Sequence, residues 1–363
     1  MSTGHSSQRT ASTGSKVKSG NPHSPPAWPV ASCGKLDSLG ASMTRPIFPQ
    51  NVIAVIWDFD KTLIPGNMQG PLFRRFGIDE LAFWDEVDGL EEWYQTRGAT
   101  MIARDRLYLD HILTYVREGL MHRLGNELLR ELGTEIEFYR GIPDFFEFVR
   151  KTIESESSFA EHQITVEHYI VSTGLRQMIL GSAISPYVEK VWACEFTELV
   201  APPGYAELQG QLFSPDGQIS QLIYTIDNTS KTRALFEINK GTNKSPAIDV
   251  NAKIAREDRR VPFHNMIYVA DGPSDVPVFS IVEANGGRTY AVYKPGSESA
   301  FGQAALLAEQ DRVDAFGEAD YSQGSHTAMW LTHAAEGIAH RIVRDREEAL
   351  SERVGIPPRH VTD

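Results

Sequence analysis

An α/β fold, a largely parallel sheet carrying an inserted helical cap, is predicted by three observations. Short continuous apolar runs, Val52 to Trp57, Val166 to Val171 and Met266 to Val269 among them, recur with segments of helical period between the later ones, which implies parallel strands joined by right-handed crossovers. The first and third of these runs lead into acidic residues, Asp58-Phe-Asp60 and Asp271-Gly-Pro-Ser-Asp275, and in an open α/β sheet that edge is where ligands bind. About 110 residues lie between the first run and the second, and their pattern is helical.

In chain order, residues 1–46 are rich in Ser, Thr, Gly, Pro and Lys, contain the single acid Asp37 and show no period, so a disordered tail is expected. Val52 to Trp57 is enriched in Val and Ile, which suits a central strand buried on both faces. In the insert, Leu81, Trp84, Val87 and Leu90 recur at three-residue steps, and Leu109, Ile112, Val116 and Leu120 at three or four, two helical faces. Gly141-Ile-Pro143 marks the end of the insert, and Phe145 to Ile153 reads as a helix leading into the strand Val166 to Val171.

A helix is expected over Gly174 to Leu180 and a strand over Lys190 to Phe196. The short apolar runs from there to Ile226, broken by Pro202-Pro-Gly and Pro215-Asp-Gly, read as hairpin material. Asn228-Thr-Ser230 offers N-cap groups, Ala234, Leu235 and Ile238 an apolar face, and Asn239-Lys-Gly241 a stop, so Lys231 falls in the first turn of a helix. Met266 to Val269, a helix over Val276 to Val282 and a strand over Arg288 to Tyr293 follow, and Trp330, Leu331, Ala334, Ala335, Ile338 and Ile342 make an amphipathic closing helix. The expected organisation is a tail over 1–46, a core over 47–66 and 154–350, a helical cap over 67–153 and a C-terminal tail over 351–363.

The 363 residues are 41% hydrophobic, enough for a sizeable core, and a globular enzyme is the default class. A formal charge of −13 argues against a dedicated nucleic-acid binder, whose affinity comes from clustered Lys and Arg. No apolar run is long enough to span a membrane and no secretory pattern opens the chain, so a soluble cytoplasmic protein without a membrane partner is expected. Two cysteines, Cys33 and Cys194, support neither a disulfide framework nor a zinc cluster.

The acidic pair Asp58 and Asp60, with Thr62 close behind, is followed by Ser172 after Tyr169-Ile-Val, by Lys231, and by the loop Asp271 to Asp275. Carboxylates at two strand ends, with a lysine, a hydroxyl and a second acidic loop, are what metal-assisted phosphoryl transfer requires. The four motifs, in this order and spacing over roughly residues 52–293, resemble the haloacid dehalogenase (HAD) superfamily of aspartate-nucleophile phosphatases. The helical insert between the first and second motifs is similar to the C1-type cap of its phosphoserine phosphatase-like branch. That resemblance implies a Rossmann-like core and a cap that closes over the site and excludes water.

By the same resemblance Asp58 is the nucleophile and Asp60 the general acid that later activates water against an aspartyl-phosphate. Asp60 favours phosphate esters, since dehalogenases and phosphonate-cleaving members lack it. Ser172, Thr173, Gly174 and Lys231 would bind the phosphoryl oxygens, helped by amides at a helix start. Because a carboxylate approaching a phosphate is repelled, a divalent cation is needed, and Asp58, Asp271 and Asp275 with the backbone carbonyl of Asp60 would hold Mg²⁺. Ala270 stands where the family often has Gly.

Arg176 and Thr62 are further candidates for substrate contact, Arg176 with a surface role as its alternative. His111, His122, His162 and His168 lack ligand spacing and are read as structural. The expected substrate is a small phosphorylated metabolite. No acid occurs from Lys61 to Ile78, while Lys61, Arg74 and Arg75 do, so a substrate with additional negative charge is favoured over phosphoserine. A Mg²⁺-dependent phosphomonoesterase is the first reading; a phosphotransferase or phosphomutase using the same nucleophile, and a non-catalytic ligand-binding regulatory protein, are the alternatives.

Overall fold

The structure, a computed structural model, describes residues 48–207, 217–245 and 247–354. The tail expected over 1–46, Cys33, the turn at Pro215-Asp216 and residues 355–363 lie outside the described residues. Strand β1 (Val52–Trp57) is buried at all six positions, as an apolar run covered on both faces must be. The insert supplies α1 (Gly70–Phe76), α2 (Glu80–Gln95), α3 (Arg104–Arg117) and α4 (Asn126–Gly133). Helix α5 (Asp144–Glu154) and the short α6 (Ser157–Ala160) then lead into β2 (Thr165–Leu175), against which α5 packs.

Helix α7 (Arg176–Gly181), β3 (Lys190–Thr197) and β4 (Gln221–Tyr224) come next, followed by α8 (Lys231–Lys240), β5 (Met266–Ala270), α9 (Val276–Ala284) and β6 (Arg288–Tyr293). The chain continues through α10 (Glu298–Glu309), β7 (Ala315–Glu318) and the long α11 (His326–Val354). One sheet holds the strands in the order β4-β3-β2-β1-β5-β6-β7. All neighbours are parallel except β3 and β4, which pair antiparallel. The predicted α/β architecture, a Rossmann-like sheet with a helical insert after its first strand, is the one observed.

The centre of the sheet is anchored by Trp57, fully buried, with ring centroids 5.1 Å from Phe146 and 5.7 Å from Tyr321. Its indole N–H donates to Nδ1 of buried His168 at 3.2 Å, and the other ring nitrogen donates to the Phe146 carbonyl at 3.1 Å. Burial, then the charge of Arg150, holds this imidazole near pKa 3 and therefore neutral, in keeping with a structural histidine.

Several local expectations are corrected. On α2 the buried residues are Phe83 and Val87, while Leu81 is 78% exposed; three-residue steps drift around a 3.6-residue helix, so Leu81 and Leu90 cannot share one face. On α3, Leu109, Ile112 and Val116 are buried, but Leu120 lies beyond the helix end and is exposed. The entry of α8 is organised by Asp227, whose carboxylate accepts from the amides of Thr229 and Ser230, not by residues 228–230 as caps. Strand β7 carries no signal, since four residues with Phe316 as the one large apolar side chain show no period, whereas helix α10, capped by the Ser297 side chain and buried at Ala304 and Leu307, is an element not expected above.

The insert meets the core where α4 crosses α7. A Cβ on Gly181 would lie 1.9 Å from the Arg130 carbonyl oxygen, and one on Gly133 would lie 2.2 Å from that of Met178. Only glycine permits this approach. Gly181→Ala is expected to push the helices apart and cost about 1–3 kcal/mol; unchanged stability in urea denaturation would refute the close contact.

Candidate active site

The chain runs from β1 outward through β2, β3 and β4, then returns to β5 and continues through β6 and β7. Strands β1 and β5 are therefore adjacent while the connections leaving them go opposite ways, which opens a crevice beyond their C-terminal ends. Asp58 and Asp271 flank that crevice, each immediately after its strand. The Asp58 amide donates to the Val269 carbonyl at 2.9 Å, which fixes the first loop against β5.

Asp58, Asp275 and Lys231 form a buried cluster in which no side chain exceeds 7% exposure. The Lys231 ammonium donates to Asp58 Oδ1 at 2.8 Å and to Asp275 Oδ1 at 2.7 Å. Thr62 donates its hydroxyl to Asp58 Oδ2 at 3.1 Å. Asp275 also accepts from the Tyr268 hydroxyl and, through Oδ2, from Ser274 at 2.8 Å. Burial alone would lower the Lys231 pKa, but Asp275 and then Asp58 outweigh it and hold the ammonium charged, above its ordinary value. For Asp58 burial wins over Lys231, and its pKa lies above the usual carboxylate range.

Two further carboxyls are poised higher. Burial, then the charge of Asp58, pushes Asp60 up to about 8, against the opposing effect of the Met68 amide that donates to its Oδ1 at 2.9 Å. Burial, then Asp58 and Asp275, raises Asp271 to about 7. Among the described residues no hydrogen bond reaches the Asp271 carboxylate. One oxygen each of Asp58, Asp271 and Asp275 falls within 4.8 Å of the others. An all-oxygen, anionic and partly desolvated donor set of this kind suits a hard divalent cation, whose charge would favour the ionised carboxylates.

Strand β2 runs to Leu175, so Ser172, Thr173 and Gly174 are strand residues with a register irregularity against β3, and α7 begins only at Arg176. The expected helix from Gly174 is corrected accordingly. The buried Ser172 oxygen accepts from the Gly174 amide at 3.0 Å, which leaves its own O–H free to donate. The Leu175 amide donates to the Met68 sulfur at 3.1 Å, and a Cβ on Gly174 would lie 2.1 Å from the Met68 methyl. Met68 thus joins the Asp60 loop to the end of β2. From the insert, the Tyr108 hydroxyl donates to the Thr173 carbonyl at 2.6 Å.

The candidates gathered at the crevice are thus Asp58, Asp60, Thr62, Lys231, Asp271 and Asp275, with Ser172, Thr173 and Gly174 at the neighbouring strand end. Arg176 is not among them: its guanidinium pairs with Glu195 at 3.1 Å and donates to the Val191 carbonyl at 3.3 Å. A cleft of about 300 Å³ beside the first loop is lined by Met68, Arg74, Glu80, Glu135 and Glu137 among others. Arg74 pairs there with Glu135 at 3.3 Å, an exposed ion pair, and Glu80 and Glu137 line the same cleft. Tyr268, Ser274, Met68 and Tyr108 were not singled out in the sequence. Tyr268 read as one apolar strand residue among four, and only its partner in space reveals the hydroxyl's use.

No family model matches this chain. It is 41% identical over 285 residues to an uncharacterized protein of Borreliella burgdorferi, a match covering 78% of this chain and 96% of that protein, and it belongs to the same family. Solved structures that resemble it include a HAD family hydrolase from Salmonella enterica serovar Typhi, at 12% identity and a TM-score of 0.41 over 74% of this chain and 67% of the other. Another is a probable phosphoserine phosphatase from Vibrio cholerae, at 12% identity and a TM-score of 0.43 over 82% of this chain and 69% of the other. Likeness at this level says nothing of substrate or chemistry. Among the described residues, no helix is long and apolar enough to cross a membrane.

Proposed function

We propose that this chain is a Mg²⁺-dependent phosphomonoesterase of the HAD superfamily, acting on a small phosphorylated metabolite through an aspartyl-phosphate. The observation that supports it most is Asp58, a buried carboxylate at the end of the central strand, oriented by Lys231 and Thr62 and facing Asp271 across the strand-order reversal. An oriented carboxylate with a raised-pKa acid two residues away is the pairing that covalent phosphoryl transfer needs.

In this reading an Asp58 oxygen attacks phosphorus while Asp60, protonated below about pH 8, gives its proton to the departing ester oxygen. Asp60 then takes a proton from water as that water attacks the acyl phosphate, which releases inorganic phosphate and restores both carboxyls. Ser172 and Lys231 donate to the phosphoryl oxygens, where charge accumulates. Asp58 and Asp271, with the Asp60 backbone carbonyl, would hold Mg²⁺, which supplies charge neutralisation between nucleophile and phosphate. Asp275, already accepting three bonds, suits contact through water. The Tyr108 hydroxyl ties the insert to the end of β2 and helps to exclude solvent.

The test is release of inorganic phosphate from a panel of small phosphate esters with Mg²⁺ and with chelator. Turnover abolished by chelator is expected. Transfer to an added alcohol in place of water would instead favour the phosphotransferase, and silence across the panel from folded, metal-replete protein would defeat the catalytic reading.

The carboxyl shifts give a second prediction. A carboxyl whose folded pKa is raised contributes stability that is full at low pH and is lost as pH rises through the folded value. The metal-free protein should therefore lose stability from about pH 4 to pH 8 through Asp60 and Asp271. Protons compete with the cation for the Asp58 and Asp271 carboxylates, so Mg²⁺ should raise the melting temperature more at pH 8 than at pH 5.5. Equal shifts at the two pH values would argue against binding at these carboxylates.

A further inference from the structure

We infer that Tyr268 is a positioning residue of this site: its hydroxyl holds the Asp275 carboxylate in the orientation that keeps the Lys231 ammonium shared with Asp58. This rests on the phosphoryl-transfer reading above. Tyr268 is the central residue of β5, and its four strand neighbours Met266, Ile267, Val269 and Ala270 are apolar and, like it, fully buried. A strand covered on both faces asks for apolar residues at every position. A hydroxyl in such a row is costly unless it meets an acceptor, and the acceptor here is Asp275 Oδ1. The ring meets Phe279 of α9 edge to face, with centroids 5.5 Å apart, and α9 begins at the residue after Asp275. The phenol is thus packed against the helix whose entry carries its acceptor.

Asp275 Oδ1 takes two donors, the Tyr268 hydroxyl and the Lys231 ammonium at 2.7 Å, while Oδ2 takes the Ser274 hydroxyl at 2.8 Å. Donors on both oxygens fix the rotation of the carboxyl group. Ser274 is exposed, so water can stand in for its bond; Tyr268 and Asp275 are both fully buried, and nothing replaces theirs. Lys231 is in turn divided between Asp275 Oδ1 and Asp58 Oδ1 at 2.8 Å. Because the phenol already satisfies part of Asp275 Oδ1, the ammonium is not drawn wholly to that side and stays in reach of Asp58 and of a phosphoryl oxygen beside it. Without the phenol, the freed lone pair turns to Lys231, and the ammonium shifts away from the nucleophile. Tyr268 bonds to Asp275 and not to Asp58, so it acts through Asp275 and Lys231, and a displacement well under the length of a hydrogen bond is enough to slow the chemistry.

The test compares wild type, Tyr268→Phe and Phe279→Leu, all with Mg²⁺, for turnover of the best ester in the panel, inhibition by orthovanadate and melting temperature. Tyr268→Phe keeps the ring and loses the hydroxyl; Phe279→Leu loosens the packing of that ring and keeps the hydroxyl. For Tyr268→Phe the expected result is a kcat lower by about 10- to 100-fold with KM within about threefold, and vanadate inhibition weakened by a factor similar to the loss in kcat. Phe279→Leu should melt lower yet keep kcat and vanadate inhibition within about twofold of wild type. If Tyr268→Phe keeps both values within that range, the inference is overturned while the phosphatase reading stands. Losses of kcat that follow melting temperature alike in both variants, or a Tyr268→Phe protein that does not fold, would also overturn it, since the hydroxyl would then serve the fold and not the site. If folded, Mg²⁺-replete wild type releases no phosphate from any ester, the phosphatase reading falls and this inference with it.

Discussion

Asp58→Asn is expected to abolish turnover, with kcat falling by at least about 10³-fold, because the amide cannot form the acyl phosphate. The protein should remain folded. An asparagine oxygen can still accept from Lys231 and Thr62, and Lys231 keeps Asp275 as a counter-charge at 2.7 Å. Substitution also removes a carboxylate that burial makes costly to ionise, so the melting temperature should hold or rise. Phosphate release beside a thermal melt checks both statements. Undiminished turnover from Asp58→Asn would transfer the nucleophile's role elsewhere and end the covalent proposal.

Lys231→Met should have the next largest effect, and on stability as well as rate. The ammonium is buried between two carboxylates that are themselves 5% and 0% exposed. Removing one partner of a buried ion cluster while the others remain costs about 3–5 kcal/mol. Asp275 would keep the Tyr268 and Ser274 hydroxyls, but Asp58 would lose its cation and would be driven further toward its protonated form, so the nucleophile would be lost along with an oxyanion donor. A fall in kcat of about 10²- to 10³-fold follows.

The pH dependence carries the sign of this argument. Without Lys231 the folded pKa of Asp58, already raised by burial, loses the cation that lowers it and rises further, and stability conferred by a raised carboxyl is full at low pH and lost as pH increases. Urea denaturation should therefore show a larger penalty for Lys231→Met at pH 8 than at pH 5. An equal penalty at both would mean that packing of the lysine stem, not its charge, is what the cluster needs.

The active-site cluster also explains why Lys231 stands at the start of a helix, where a cation gains nothing from the helix dipole. Two buried carboxylates offset that placement, and the Asp227 side chain accepts from the amides of Thr229 and Ser230 just ahead of the helix. The departure from local preference lies at the site, where such departures concentrate.

Most of the sheet was legible from the sequence because its strands are continuous apolar runs. Val52 to Trp57, Lys190 to Phe196, Met266 to Val269 and Arg288 to Tyr293 all lie within observed strands. Such runs are what a strand covered on both faces requires, and acidic residues directly after them name the functional edge. The gathering of Asp58, Asp60, Lys231, Asp271 and Asp275 follows from that logic, since strand order brings the ends of β1 and β5 together whatever the loops do. At the far edge of the parallel sheet period alone fails: β7 is held by pairing with β6, which leaves no mark on local composition.

By itself, then, the sequence determined the fold class, the helical insert and the identity of the acidic and basic groups at the crevice, because these depend on hydrophobic period and on residue type at strand ends. Only the tertiary structure decided how those groups are used. Asp275 accepts from Lys231, Tyr268 and Ser274 at once, Arg176 turns away to Glu195, and the carboxylates Glu80, Glu135 and Glu137 come from distant segments to line one cleft. Hydrogen bonds and desolvation act over a few ångströms in space, between residues such as Asp58 and Lys231 that are 173 positions apart in the chain, and no local pattern encodes such meetings.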